Sequence, residues 1–161
     1  AFVVARAELR DGAMHVIEVE EPLSAVALGP WDQAGLAEFS GTVRYHFALP
    51  IAEEFASSRL VLDLGGVEYA ASVYVNGAHV GDLLWPPYRV RLTGAPLRPG
   101  HNELVVEVSN TLAAQVLKED NVRLAQERGW DNPYFRKTLP WHREALGGGL
   151  LGPIRLWAEL S

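Results

Sequence analysis

The residue types best suited to chemistry crowd into one stretch. Trp130-Asp131-Asn132-Pro133-Tyr134-Phe135-Arg136 and Pro140-Trp141-His142-Arg143-Glu144 interleave flat aromatic faces with planar hydrogen-bonding groups. That mixture suits a sugar, whose C–H face packs on an aromatic ring while its hydroxyls meet carboxylate, amide and guanidinium groups. Trp130, Asp131, Tyr134, Trp141, His142 and Arg143 are therefore the expected ligand-binding residues. Two other readings fit the same residues. They could stack single-stranded nucleic acid, which the net charge of −6 opposes, or they could cap one end of the fold.

Other chemistries find less support. No Gly-x-Ser-x-Gly elbow is present to expose a nucleophilic serine. The chain has no cysteine, which excludes a thiol nucleophile, a disulfide framework and a Cys-ligated metal. His15, His46, His79, His101 and His142 are scattered, without the i, i+4 pairing of a zinc-binding helix. Glu53-Glu54 and Glu119-Asp120 are neighbours in sequence and read as solvated. Gly147-Gly148-Gly149 has no Lys or Thr after it and precedes a strand pattern, so it reads as a flexible hinge, not a phosphate cradle. No catalytic residue and no metal ligand set is expected.

The elements that must position this stretch are strands. Leu60, Leu62 and Leu64 alternate with Val61 and Asp63, Val73 and Val75 with Ser72 and Tyr74, and Leu104, Val106 and Val108 with Val105, Glu107 and Ser109. Runs near His15–Val19, Tyr45–Leu49, Arg89–Leu92 and Ile154–Leu160 follow the same period of two, each bounded by Gly, Pro, Asn or Asp. Asn76-Gly77 is the sharpest local signal, since both residues tolerate the positive φ of a type I′ hairpin turn. Pro99-Gly100 marks a second tight turn. Strands at this spacing predict an all-β antiparallel sandwich. One exception, a short helix or an irregular excursion, is expected between Thr111 and Arg128, where Leu112, Val116 and Leu117 fall at helical spacing. The aperiodic segment from Trp130 to Gly149 is long for a loop in a compact domain, and such loops carry function or disorder. Its aromatics argue for function.

At 161 residues, 48% of them hydrophobic, the chain has the size and apolar content of one domain spanning residues 1–161. Its apolar runs are too short to span a membrane as a helix. The first residue is Ala1, without a basic stretch ahead of an apolar one, so the chain reads as processed or excised and its compartment is left open.

An ordered set of motifs resembles the sugar-binding jelly roll of glycoside hydrolase family 2. It begins at Trp31 and Phe39-Ser40-Gly41-Thr42-Val43-Arg44-Tyr45-His46-Phe47-Ala48-Leu49-Pro50. It continues through Leu62-Asp63-Leu64-Gly65-Gly66-Val67 and Ala71-Ser72-Val73-Tyr74-Val75-Asn76-Gly77-Ala78-His79-Val80-Gly81, then Pro87-Tyr88 and Leu97 to Asn110. Gly149-Leu150-Leu151-Gly152-Pro153-Ile154-Arg155-Leu156 is similar to the end of the corresponding domain in large α-L-rhamnosidases such as glycoside hydrolase family 106. The resemblance implies a galactose-binding-domain-like sandwich serving as one module of a multidomain glycosidase. In such enzymes the catalytic carboxylates lie on a separate domain, commonly a TIM barrel. It further implies that residues 130–149 correspond to a loop that can reach toward substrate. The implied partners are carbohydrate and the catalytic domain of the same parent chain, with no nucleic acid and no membrane span. No cofactor is expected. Many such domains hold a structural calcium ion, but no ligand string here identifies one. The expected function is a noncatalytic carbohydrate-binding or accessory domain. Its rivals are a purely structural module and a free-standing enzyme.

Overall fold

The computed structural model describes residues 1–11, 13–23, 27–127 and 147–159. Among them are twelve strands. β1 (Phe2–Arg10), β2 (Ala13–Pro22) and β3 (Gly29–Pro30) are followed by a 3-10 turn at Trp31–Ala34, and a second 3-10 turn stands later at Glu53–Phe55. β4 (Gly41–Ile51), β5 (Leu60–Asp63), β6 (Gly66–Glu68), β7 (Ala70–Val75), β8 (Ala78–Leu83), β9 (Arg89–Arg91) and β10 (Gly100–Ser109) lead into α1 (Ala113–Val116) and α2 (Glu119–Glu127). β11 (Gly149–Gly152) and β12 (Arg155–Ala158) follow.

One layer is a six-stranded sheet in the order β2-β1-β4-β10-β7-β8. The second comprises two three-stranded pieces, β3-β11-β6 and β12-β5-β9. These pieces share one long antiparallel ladder with a bend in it. Gly149 pairs with Glu68 and Leu150 with Val67, and beyond the bend Arg155 pairs with Asp63 and Ala158 with Leu60. Gly65 and Gly152 bridge each other at the bend.

Alternation explains the core. On β4, Val43, Tyr45, Leu49 and Ile51 point inward; on β7, Ala71, Val73 and Val75; on β10, Leu104, Val106 and Val108. They meet Leu60, Leu62, Leu64, Val67 and Leu150 of the second layer in one buried cluster. Each such side chain contributes about 1.5–3 kcal/mol by leaving water. The fold is the expected all-β sandwich.

The hairpin is where the sequence places it. Asn76 and Gly77 have φ of 48° and 79°, and Val75 pairs directly with Ala78. Asn76 does more than turn. Its Nδ2 donates to Pro96 O and Asn102 Oδ1, each at 2.8 Å, and its Oδ1 accepts from Glu103 N at 2.9 Å. The hairpin tip is thereby clasped to the start of β10. The Pro99-Gly100 turn also forms, with Gly100 at φ 84°.

The expected helical segment forms, as two short helices, with Leu112 and Val116 44% and 50% exposed and Leu117 half-buried. Ala114 and Gln115 are buried instead. Polar bonds hold the segment, since Gln115 N donates to Ser40 Oγ at 3.2 Å and Gln115 Nε2 to Glu38 O at 3.1 Å. β1, which carries no clean alternation in sequence, joins the main sheet between β2 and β4.

Candidate functional site

The register of the main sheet gathers several connections at one end. β7 begins there opposite the end of β10 (Ala70 with Ser109), and β8 ends there (Leu83 with Ala71). Tyr69 N donates to Ser109 O, and α1 and α2 follow directly from β10. Trp31 anchors this end. It is 1% exposed, its ring is edge-on to Phe39 with centroids 5.4 Å apart, and its indole N–H donates to Tyr45 Oη at 2.7 Å. Burial raises the Tyr45 pKa, only partly offset by the bond from Trp31, so the phenol is neutral and free to accept.

The chain leaves the described residues at Glu127 and returns at Gly147. Gly148 is laid on the Trp31 ring, and its carbonyl accepts from Trp31 N at 2.8 Å. A Cβ on Gly148 would fall 2.1 Å from Trp31 Cε3, and one on Gly147 would fall 2.3 Å from Glu68 Oε2. Gly149 is already a strand residue, paired with both Pro30 and Glu68. The expectation of a flexible hinge is thus corrected at Gly148 and Gly149, where the rigid Trp31 ring and the Gly29 carbonyl occupy the space a side chain would take.

Beside this contact lies an open depression of about 580 Å³, lined among others by Asp32, Glu38, Glu68, Lys118, Glu119 and Gly147. Three of its carboxylates come from separate stretches: the turn after β3, the connection into β4, and the end of β6. They offer acceptor oxygens and Lys118 offers donors, a lining suited to a polyhydroxylated ligand. Aromatic surface lies at the same end of the sheet. Trp85 is 71% exposed and Leu84 59%. Their loop is tied down by Tyr88, whose hydroxyl donates to Tyr69 O at 3.0 Å and whose carbonyl accepts from Leu64 N at 2.9 Å.

Trp130, Asp131, Tyr134, Trp141, His142 and Arg143, the residues expected to bind ligand, lie outside the described residues. Asp32, Glu38, Glu68 and Trp85 were missed by sequence reasoning. The glycine run was the signal that the backbone passes close to something at Glu68 and Trp31. Among the described residues no group of three or more His, Asp or Glu side chains is placed to hold a metal ion, and no helix is long and apolar enough to cross a membrane.

No family model matches the chain. It is similar to a protein of Formosa agariphila provisionally named a β-glucuronidase, with 31% identity over 147 residues, covering 78% of this chain and 13% of that protein. Among solved structures it is similar to a rhamnosidase from Novosphingobium sp. PP1Y, at 26% identity and a TM-score of 0.53. That match covers 97% of this chain and 14% of the rhamnosidase. A β-D-mannosidase from Dictyoglomus thermophilum shares the fold, with a TM-score of 0.53 at 14% identity over 96% of this chain and 22% of the enzyme. The fold thus falls in a class seen within glycoside hydrolases. The chain spans only about an eighth to a fifth of those relatives.

Proposed function

We propose that the chain is a noncatalytic accessory domain of a glycoside hydrolase. In this reading it is a galactose-binding-like jelly roll whose carboxylate-lined end, with the segment 128–146, meets carbohydrate. The observation that carries this reading is the depression holding Asp32, Glu38 and Glu68 where that aromatic-rich segment returns at Gly147. The similarity to small portions of much larger glycosidases supports it. Trp130, Trp141 and Tyr134 supply ring faces, and Asp131, His142 and Arg143 supply hydrogen bonds at their edges. The catalytic domain of the same parent chain is the partner.

By analogy with other ring-face contacts, stacking of one pyranose on an indole contributes about 1–2 kcal/mol, so with a few exposed hydrogen bonds the dissociation constant falls in the millimolar to high-micromolar range. The test is a heteronuclear NMR titration with rhamnose, galactose, glucuronic acid and short oligosaccharides. Shifts in the Trp130 and Trp141 indole signals, lost when both are replaced by alanine, are expected. The chain should not hydrolyse nitrophenyl glycosides; turnover that disappears on mutating one carboxylate would overturn the reading.

A second reading is favoured by Leu84 and Trp85, whose exposed apolar surface fits packing against a neighbouring domain. A purely structural module would give no sugar shifts at tens of millimolar.

A further inference from the structure

The outer face of the second layer carries a constellation separate from the depression. Leu60 and Leu62 point into the core, so Val61 and Asp63 lie on the opposite side of the strand, where Val61 is itself buried. The register sets Trp157 and Arg91 on either side of Val61, and Arg155 and Arg89 on either side of Asp63. Three arginines and a tryptophan thus share one face of a chain whose overall charge is −6.

Their partners differ. Arg89 donates through Nε to Asp63 at 2.8 Å and holds its guanidinium 5.4 Å from the Trp157 ring centroid. Arg91 is paired with Glu159 through Nε and Nη2. Arg155 is exposed and, among the described residues, has no hydrogen-bond or ion-pair partner. Its charge is nevertheless felt locally. Burial pushes the Asp63 carboxyl up, but bonds from Arg89 and Gly65 N, then the charges of Arg89 and Arg155, hold it below its ordinary value. Asp63 and Glu159 therefore fix two arginines in place, and the third faces solvent. Arg155 and Trp157 lie two residues apart on the same face of β12, about 7 Å along the strand. Trp157 is 37% exposed.

We propose that this outer face is a second carbohydrate subsite selective for carboxylated pyranoses, the sugar ring against Trp157 and its carboxylate on Arg155. The exposed part of the Trp157 ring, with Arg89 over one of its faces, supplies what every pyranose needs, an apolar surface. The unpaired guanidinium supplies what only an acidic sugar can use, a planar fork matching a carboxylate. Arg89, stacked against Trp157, holds the indole in position. The geometry favours a sugar over an acidic peptide because, among the described residues, this face sets one ring beside one guanidinium that has no hydrogen-bond or ion-pair partner.

The proposal is tested on the whole chain by NMR titration with glucuronic acid and trigalacturonate, against glucose and maltotriose at matched ionic strength. The acids should shift the Trp157 indole and the Arg155 amide and bind about five-fold more tightly than the neutral sugars. Arg155→Gln should abolish that preference, and Arg155→Lys should retain part of it. An unchanged amide spectrum establishes that each variant is folded. Equal response to neutral sugars, no response at about 50 mM, or a response to a Glu-rich peptide alone would each overturn it. Because Trp157 reports separately from Trp130 and Trp141, failure here and failure of the proposed site at the end of the sandwich are told apart in one experiment.

Discussion

Replacing Gly148 with alanine tests how the end of the sandwich is built. The added methyl would lie 2.1 Å from Cε3, 2.5 Å from Cζ3 and 2.8 Å from Cδ2 of Trp31. All three atoms belong to a rigid ring, so no flexible side-chain tip can swing aside. The ring is confined, being 1% exposed and tethered to Tyr45 Oη. Relief requires the indole or the backbone of residues 147–149 to move by about 1 Å, and such overpacking costs about 3 kcal/mol at the rigid end of its range. If the indole moves, its hydrogen bond to Tyr45 is lost as well, a further loss of about 1 kcal/mol. For a domain of this size the melting temperature should fall by about 10 °C. Urea unfolding followed by circular dichroism, with an unchanged m-value, gives the number directly. Gly35→Ala is the control: Gly35 has φ of 78° and nothing within 4 Å of its would-be Cβ, so only backbone strain of about 1 kcal/mol is expected. If Gly148→Ala stays within about 0.5 kcal/mol of the parent, residues 147–149 have slack and the flexible-hinge expectation stands after all.

Gly77→Val should cost about 1–2 kcal/mol through strain alone, since its would-be Cβ meets nothing; urea unfolding showing no change would refute the turn assignment. Asn102→Leu should cost about 3 kcal/mol by orphaning buried groups, because Asn102 is fully buried and accepts from Asn76 Nδ2 and Arg98 N while donating to Arg98 O; a neutral result by thermal melting would refute the clasp. Asp63 has a lowered pKa when folded, so its contribution is fully present above the ordinary carboxylate range and is lost as pH falls through the folded value. Asp63→Asn should therefore destabilise the chain at neutral pH, with the gap to the parent closing on acidification; a gap that widens below pH about 4 would refute it.

Much of the fold was legible because it is written in local pattern. Asn76-Gly77 announces a turn that little else fits, and the alternation on β7 and β10 can be satisfied only by a sheet with one buried face. β1 was illegible because Phe2-Val3-Val4-Ala5 is apolar on both faces and gives no alternation to count. The helical segment was legible as helix, but Leu112 and Val116 gave no sign of what holds it, hydrogen bonds to Glu38 and Ser40. The candidate site was the least legible. Asp32 and Glu38 stand well before Glu68 in sequence and have no common motif with it; the pairing of β11 with both β3 and β6 brings Glu68 to the side of the turn that carries Asp32. The Gly147-Gly148-Gly149 run was visible, but close approach and flexibility leave the same trace in a sequence.

The bent ladder of the second layer has a consequence for biosynthesis. Every strand of the six-stranded sheet has emerged by Ser109, so that sheet can pair as the chain is made. Its apolar face then waits. β6 finds its strand partner, and β5 the second of its two after β9, only in residues 149–158, and Leu150, fully buried, is among the last groups to enter the core. A ribosome that stalls between α2 and β11 leaves Val67 without the strand β6 pairs with and Leu62 with a strand on one side only. Such a nascent chain displays open strand edges and apolar surface, the features that chaperones and proteases recognise. Closure by the last strands makes a complete core a report of complete translation through Ala158.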